Sequence, residues 1–291
     1  MTLLRINGYN AGMNKPRLPL ILEPDILQSH LDDNDLLVVD LCKQAVYDKY
    51  HVPGAIHVDA DRITASQPPV MGLLPDAEDW SHLLSDIGIT PQSHVVAYDD
   101  SMGVAACRFL WTLHTIGHTY YSLLNGGLHS WAGEDHPLSQ QASEPRYSEY
   151  PLRAMNQGIA DRDYILSRLA DDTVQIVDTR TALEYLGEDV RALRGGHIPG
   201  ALNADWSLAV DRERNMRLFP EAHLRALYKH AGLDQNKETI LYCHTHRRSA
   251  HSFIVLQSLG FNDLRGYPGS WSDWGNHADT PCSDQQNPAL L

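Results

Sequence analysis

The chain has few cysteines, no long apolar segment and fewer basic than acidic residues. Its four cysteines, Cys42, Cys107, Cys243 and Cys282, lie far apart and match neither a disulfide framework nor a metal-binding pattern. No apolar stretch approaches the ~18 residues needed to cross a bilayer, and the N-terminus lacks the apolar core of a signal peptide. A formal charge of −14 disfavours nucleic acid and anionic membranes as partners. We therefore expect a cytoplasmic protein with no metal, nucleic-acid or membrane partner.

The chain contains the same pattern of segments twice. Four pairs of similar segments occur in the same order, about 140 residues apart, which indicates a tandem duplication. The pairs are 36–47 with 174–185, 51–60 with 197–206, 85–100 with 229–244, and 125–131 with 268–274. We predict a first domain over 18–138, a polar linker over 139–157 and a second domain over 158–285.

Each repeat alternates two kinds of segment. Short β-branched runs such as VQIVD (174–178) and TILYC (239–243) are typical of buried parallel strands. Longer segments, such as 76–87 and 219–231, have apolar residues at helical spacing. The alternation predicts an α/β fold in which each repeat forms a mainly parallel sheet flanked by helices on both faces. In such sheets ligands bind beyond the carboxyl ends of the strands.

One cysteine lies at such a strand end, in a cluster of basic residues. Cys243 follows the strand TILY and precedes a helix, with His244, His246, Arg247 and Arg248 close behind it. A helix N-terminus and neighbouring positive charges lower a thiol pKa, so the thiolate is available as a nucleophile and the loop attracts anions. A metal site at Cys243, His244 and His246 is the weaker alternative, because zinc usually takes four ligands at wider, paired spacing.

The corresponding stretch of the first repeat, VVAYDDSMGVAACR, differs at the important positions. Asp99 takes the place of Cys243, and Gly103 and Val104 take the places of Arg247 and Arg248. A carboxylate without the two arginines supplies neither a nucleophile nor an anion pocket. The first domain is therefore predicted to be catalytically silent.

Four motifs together resemble the rhodanese family of sulfurtransferases: VDTR (177–180), GGHIPGA (195–201), the Cys243 loop and GSWSDW (269–274). The resemblance is to the two-domain kind, with an inactive first repeat and an active second one. It implies that Cys243 attacks the outer sulfur of a small anionic donor and holds it as a persulfide. The sulfur then passes to cyanide or a thiol acceptor, without a cofactor. Loop N–H groups of residues 244–248 would cradle the transferred sulfur.

The candidate site combines the cysteine loop with residues from two other motifs. Arg248 is predicted to close the loop, to pair with Glu184 or Asp178, and to contribute more than Arg247. The predicted substrate-binding residues are His244, Thr245, His246, Arg247, Arg248, Arg180 and Trp271, with Asp178 and Glu184 as supporting residues.

One departure from the family pattern bears on the donor. Glu184 stands where the family carries a donor-binding arginine, so the carboxylate of 3-mercaptopyruvate would lose its anchor there. Arg180, Arg191 or Arg194 would have to replace that arginine. Thiosulfate, a small dianion, needs only the loop charges, so we expect a thiosulfate sulfurtransferase.

Three alternative functions are weighed against this one. They are a 3-mercaptopyruvate sulfurtransferase, a persulfide carrier or binding module that serves a protein acceptor, and a phosphatase. Phosphatases that share the family's fold use the spacing C-x5-R, which makes room for a phosphate. Here Arg248 gives C-x4-R after Cys243, a shorter loop that suits a single sulfur atom and disfavours a phosphatase.

Overall fold

The structure, a computed structural model, describes residues 18–284 and contains two separate parallel sheets. Helices flank both of them, which confirms the predicted fold class. Among the described residues, no helix is long and apolar enough to cross a membrane.

The first repeat forms a five-stranded parallel sheet and an antiparallel hairpin. Its strands are β1 (Ile21–Leu22), β2 (Leu36–Asp40), β3 (Ile56–His57), β4 (Ala65–Gln67), β5 (Val70–Leu73), β6 (His94–Tyr98) and β7 (Tyr121–Leu124). Its helices are α1 (Pro24–Gln28), α2 (Gln44–Tyr47), α3 (Ala77–Asp86), α4 (Val104–Thr115) and α5 (Gly127–Gly133). The sheet order is β1-β7-β6-β2-β3, and β4 pairs with β5 in the hairpin.

The second repeat follows the same plan with a four-stranded sheet. Its strands are β8 (Val174–Asp178), β9 (Leu202–Asn203), β10 (Val210–Asp211), β11 (Arg217–Leu218), β12 (Glu238–Tyr242) and β13 (Leu264–Gly266). Its helices are α6 (Arg162–Arg168), α7 (Ala182–Tyr185), α8 (Glu221–His230), α9 (Arg248–Ser258) and α10 (Ser270–Trp274). The sheet order is β13-β12-β8-β9, and β10 pairs with β11.

One apolar core joins the two repeats. Helix α4 packs on the first sheet, α9 packs on the second, and the two helices pack against each other. Val95 of β6 and Leu241 of β12 therefore belong to the same buried cluster. The opposite face of each sheet has its own smaller cluster, one around Trp131 and one around Trp274. This arrangement brings residues of the first repeat against the loop that precedes α9.

The segment between the repeats, 139–157, contains no helix and no strand. Part of it packs on the first repeat, since Tyr150 is buried and its backbone N–H donates to the hydroxyl of Ser85 at 3.0 Å. The predicted domain limits stay predictions. The predicted end of the second domain, residue 285, lies outside the described residues.

Candidate active site

Residues 243–247 form the loop between β12 and α9, at the carboxyl edge of the second sheet. The first turn of α10 holds this loop in place. The backbone N–H of Trp271 donates to the carbonyl of Cys243 at 3.0 Å, and the N–H of Cys243 donates to the hydroxyl of Ser270 at 3.2 Å. His246 adopts a positive φ of 54°, which turns the chain sharply into the helix. The loop therefore wraps around the cysteine.

Cys243 is 1% exposed, and its surroundings favour the thiolate. Burial raises the pKa of this thiol, but the charge of Arg248 and hydrogen bonds from the hydroxyl and N–H of Ser249 and the N–H of Thr245 together lower it below its ordinary value. Two backbone donors, one hydroxyl and one guanidinium thus act on the sulfur. The arrangement can form and hold an anionic sulfur nucleophile.

Arg248 forms a two-pronged ion pair with Glu184, at 2.6 and 2.8 Å. The Glu184 side chain is fully buried, and it also caps α7 through a reciprocal pair of hydrogen bonds with Thr181. Burial raises the pKa of Glu184, but Arg248 more than offsets this, so that the pKa is lowered to about 2. Glu184 is therefore ionised and fixes the guanidinium beside the sulfur.

Arg180 and Asp178 pair with each other, and Asp178 does not pair with Arg248. Their closest atoms are 2.6 Å apart, and Arg180 also donates to the carbonyl of Gly196 at 2.7 Å. The guanidinium lies over the ring of Trp271 at 4.4 Å, and all three side chains are buried. The pairing of Arg248 with Asp178 considered above does not form. Arg180, two residues after Asp178 at the strand end, occupies that carboxylate, and Arg248 pairs with Glu184. Arg180, Asp178 and Trp271 thus lie beneath the loop as a support.

The two loop histidines contribute less charge than expected. Burial, and next the charge of Arg248, lower the pKa of His244, so it is neutral at neutral pH. His246 is fully buried, and burial lowers its pKa well below the ordinary value. Its Nδ1 atom lies 2.7 Å from the hydroxyl of Ser249, and its ring packs edge-on against Trp111 of the first repeat. His246 therefore turns away from solvent and supports the loop from within.

The remaining loop residues contact the first repeat. Arg247 donates to the carbonyl of Ala60 at 3.2 Å and lies 3.6 Å from Asp61. Thr245 lies under the β4–β5 hairpin, where a methyl group on Gly72 would collide with the Thr245 carbonyl. Both contacts hold the loop against the first domain.

Two residues near the thiol do not follow from the motifs. Ser249 lies in the first turn of α9, and only its position in the helix after the nucleophile signals it. Arg108 lies in α4 of the first repeat and donates to the carbonyl of His246 at 3.3 Å. Its signal in the sequence is a single arginine within the otherwise apolar stretch VAACRFLWTL.

The first repeat has a cradle of backbone N–H donors of its own. The carboxylate of Asp99 accepts hydrogen bonds from the N–H groups of Ser101, Gly103, Ala105 and Ala106 at 2.7 to 2.9 Å. Strand β6 and helix α4 present these groups as β12 and α9 do in the second repeat. The cradle exists, but a side chain of the protein fills it.

Comparison with known proteins gives a consistent result. The family model of the rhodanese-like domain matches residues 23–134 and 161–277. The chain is 41% identical over 264 residues to a thiosulfate sulfurtransferase of Azotobacter vinelandii, covering 91% of this chain and 97% of the relative. It is 32% identical over 278 residues to the sulfur carrier protein TtuD of Thermus thermophilus, covering 91% and 96%.

A solved structure gives the same fold. The 3-mercaptopyruvate sulfotransferase SseA of Escherichia coli superimposes with a TM-score of 0.76 at 27% identity. The match covers 87% of this chain and 99% of that one.

Proposed function

This chain belongs to the rhodanese family, and from that premise we propose that it is a thiosulfate sulfurtransferase whose second domain carries the reaction on Cys243. The first domain supplies no nucleophile. Its cradle holds Asp99, and burial raises the pKa of the Cys107 thiol that follows in α4.

One observation carries the proposal: Cys243 is a buried thiol with a lowered pKa, surrounded by backbone N–H donors at the start of α9. The thiolate attacks the outer sulfur of thiosulfate and forms a new S–S bond. The S–S bond of thiosulfate breaks, and sulfite leaves with the electron pair. The product is a Cys243 persulfide anion, whose outer sulfur the loop N–H groups stabilise as they do the thiolate.

The second half of the reaction restores the enzyme. Cyanide, or a thiolate acceptor, attacks the outer sulfur of the persulfide. The persulfide S–S bond breaks, and its electron pair returns to the Cys243 sulfur as the thiolate. With cyanide the product is thiocyanate, so no proton, oxidant or cofactor enters the cycle.

The charges of the site favour thiosulfate over 3-mercaptopyruvate. Glu184 is ionised at the position where the family carries an arginine for the donor, so it repels the carboxylate of 3-mercaptopyruvate. Thiosulfate needs only the charges of the loop. Arg180 is tied to Asp178, and Arg194 to backbone carbonyls such as that of Thr280. Arg191 is half-exposed, but it pairs with Asp189 at 2.8 Å and lies 3.7 Å from Glu184, so a mercaptopyruvate carboxylate would have to compete with both. The name of the Azotobacter relative supports the same choice of donor.

A sulfur carrier is the second candidate, because a relative at 32% identity bears that name. A carrier would form the same persulfide but discharge it to a particular protein. Fast turnover of thiosulfate with cyanide or a small thiol supports the enzyme, whereas a persulfide stable to both supports the carrier.

We also place the protein in the cytoplasm, with small molecules as partners and neither nucleic acid nor membrane. All four cysteines are free thiols, as a reducing compartment would keep them, and the formal charge is −14.

Steady-state kinetics with each donor test the proposed function. Thiosulfate with cyanide is expected to give thiocyanate at a higher kcat/KM than 3-mercaptopyruvate with cyanide. A higher kcat/KM for 3-mercaptopyruvate would show that 3-mercaptopyruvate, and not thiosulfate, is the preferred donor. Glu184→Gln, which removes the repelling charge, should narrow the gap between the two donors if the argument from charge is right.

A further inference from the structure

Arg108 is a fully buried arginine without a carboxylate partner. Its side chain, from α4 of the first domain, donates to the carbonyls of Leu73 at 2.9 Å and His246 at 3.3 Å. Its guanidinium lies over the ring of Trp111 at 4.9 Å, and its Nε has no hydrogen-bond partner among the described residues. Within residues 18–284, no carboxylate lies at ion-pair distance from it. The fold thus buries a cation with only two carbonyl dipoles to balance it.

Such burial is costly unless a negative charge compensates it. Burial lowers the pKa of Arg108 to about 9, so the side chain is still charged at neutral pH. The anionic group whose charge acts on it is the Cys243 thiolate, while Arg247 opposes it. Arg108 contacts the loop of that thiolate at the His246 carbonyl, so the buried cation and the thiolate act on each other across one short loop.

The other arginines around the loop differ in this respect. Arg180 is paired with Asp178, Arg248 with Glu184, and Arg247 lies near Asp61. Each of these arginines has a carboxylate beside it, although Arg248 still lowers the pKa of Cys243. Arg108 is the arginine of this group that adds an uncompensated positive charge.

We propose that Arg108 of the first domain is a positioning residue for the sulfur-transfer site, whose buried charge stabilises the Cys243 thiolate and persulfide anions. Its hydrogen bond to the His246 carbonyl also fixes the turn at positive φ, which aims the loop N–H groups at the sulfur. This inference rests on the proposed function. It gives the silent domain a direct part in the reaction of the other domain.

Other titratable groups around the thiol define what a pH profile would report. His244 and His246 have lowered pKa values and are neutral above the ordinary histidine range, and Glu184, with a pKa of about 2, is ionised there. The charged residues packed around the loop are Asp61, Arg108, Asp178, Arg180, Glu184, Arg191, Arg247 and Arg248. Above neutral pH, the profile therefore reports the titration of Cys243 and of Arg108, whose pKa is lowered to about 9.

The test is the pH dependence of Cys243 alkylation by iodoacetamide, followed on the Cys243 peptide by mass spectrometry. Arg108→Gln keeps an amide donor but loses the charge, and Arg108→Lys keeps the charge. We expect Arg108→Gln to raise the pKa of Cys243 by about one unit and slow alkylation about tenfold below that pKa. Arg108→Lys should stay within about threefold of the native protein, and the pH profile of kcat/KM should shift in parallel.

Arg217→Gln is the matched control. Arg217 also joins the two domains, but its partners are the carboxylates Glu23 and Glu134. The Arg217→Gln variant should be less stable than the native protein, but the pKa of its Cys243 should be unchanged. Equal alkylation profiles for Arg108→Gln and the native protein would overturn the proposal, as would equal shifts for Arg108→Gln and Arg108→Lys. Since alkylation needs no sulfur donor, this result is independent of whether thiosulfate is the substrate.

Discussion

The two domains present nearly the same loop to two different anions. In the first domain, four backbone N–H groups hold the carboxylate of Asp99, which is part of the protein. In the second domain, the equivalent position is Cys243, and the N–H groups of Thr245 and Ser249 act on its sulfur. The shared backbone explains why both loops keep the turn at positive φ, at Met102 and at His246. The cradle itself is therefore not what makes one domain reactive.

The charges around the two cradles differ instead. Burial raises the pKa of Asp99 despite its four N–H donors, whereas the surroundings of Cys243 lower its pKa despite burial. Arg248 acts on the thiol from α9, and its counterpart in the first domain is Val104. Arg108 adds charge from α4, and its counterpart in α9 is Ser252. The two repeats therefore share the cradle of backbone donors and differ in the charges placed around it.

Cys243→Asp should convert the second loop into a copy of the first. We expect sulfur transfer to fall by roughly 10⁴-fold or more, because the nucleophile is gone. The melting temperature should be retained, since the new carboxylate can accept from the same N–H groups. Thiocyanate formation and thermal denaturation measure the two effects. Cys282→Ser, a change at a half-buried cysteine outside the loop, should keep its activity. Strong loss there would indicate a second reacting thiol.

Arg248→Ala should lower kcat/KM for thiosulfate by roughly 10–1000-fold, equivalent to about 1.4–4 kcal/mol of transition-state stabilisation. The variant removes the largest positive charge acting on the thiol and leaves Glu184 buried without its partner. Arg248→Lys should restore little, because a lysine cannot reproduce the two-pronged geometry. Arg225→Ala, at an exposed arginine of α8, serves as the control. Full activity of Arg248→Lys would mean that charge alone matters here.

Ser249→Ala should raise the pKa of Cys243 by about one unit, the order expected for one hydrogen bond to a charged group. The hydroxyl of Ser249 acts on the sulfur, and the corresponding residue of the first loop is Ala105, where the N–H alone suffices. Iodoacetamide alkylation against pH measures the shift. The control is Ser252→Ala in the same helix, a buried serine whose hydroxyl acts on Tyr228 and not on the Cys243 sulfur. Matching profiles for the two variants would contradict the role of Ser249.

Glu184 makes the stability of the fold depend on pH. Its pKa in the folded protein is about 2, below the ordinary value of 4.5, so it stabilises the fold above pH 4.5. This contribution is lost as the pH falls from about 4.5 to about 2. Melting temperatures over this range should fall more steeply for the native protein than for Glu184→Gln. Parallel curves would show that the pairing with Arg248 adds nothing to stability.

Arg247→Ala should have the smallest effect, a loss of a few-fold in kcat/KM that acts mainly through KM. Arg247 is one-third exposed and lies near Asp61, which is itself almost fully exposed, so salt screens its field. The kcat/KM values of the native protein and the variant should differ at low ionic strength and become equal at high ionic strength. A loss as large as that of Arg248→Ala, equally sensitive to salt, would replace the structural role of Arg248 with a diffuse electrostatic attraction.

The sequence predicts the local features of this site well. The strand over 174–178 matches β8, because β-branched residues buried on both faces leave few alternatives. The helix predicted over 219–231 is α8, Glu221–His230, which starts directly after Pro220. Cys243 directly follows β12, a strand that the apolar run TILY predicts. The chain pattern alone thus places Cys243 between a strand and the helix that follows it.

The sequence does not predict which charges meet. Asp178 and Arg180 are two residues apart, and their pairing depends on how the strand end turns beneath Trp271. Arg108 and His246 are 138 positions apart, and they meet only because α4 and α9 pack together. The lowered histidine pKa values follow from the burial that this packing produces. These features belong to the tertiary structure rather than to any local pattern.

Mass spectrometry of the protein after exposure to thiosulfate tests directly whether Cys243 takes up the sulfur as a persulfide. We expect a gain of one sulfur atom on the peptide that contains Cys243 and on no other cysteine peptide. Cyanide should reverse this gain, and it should be absent in Cys243→Ser. Sulfur on the peptides of Cys42, Cys107 or Cys282, or thiocyanate formed by Cys243→Ser, would contradict it.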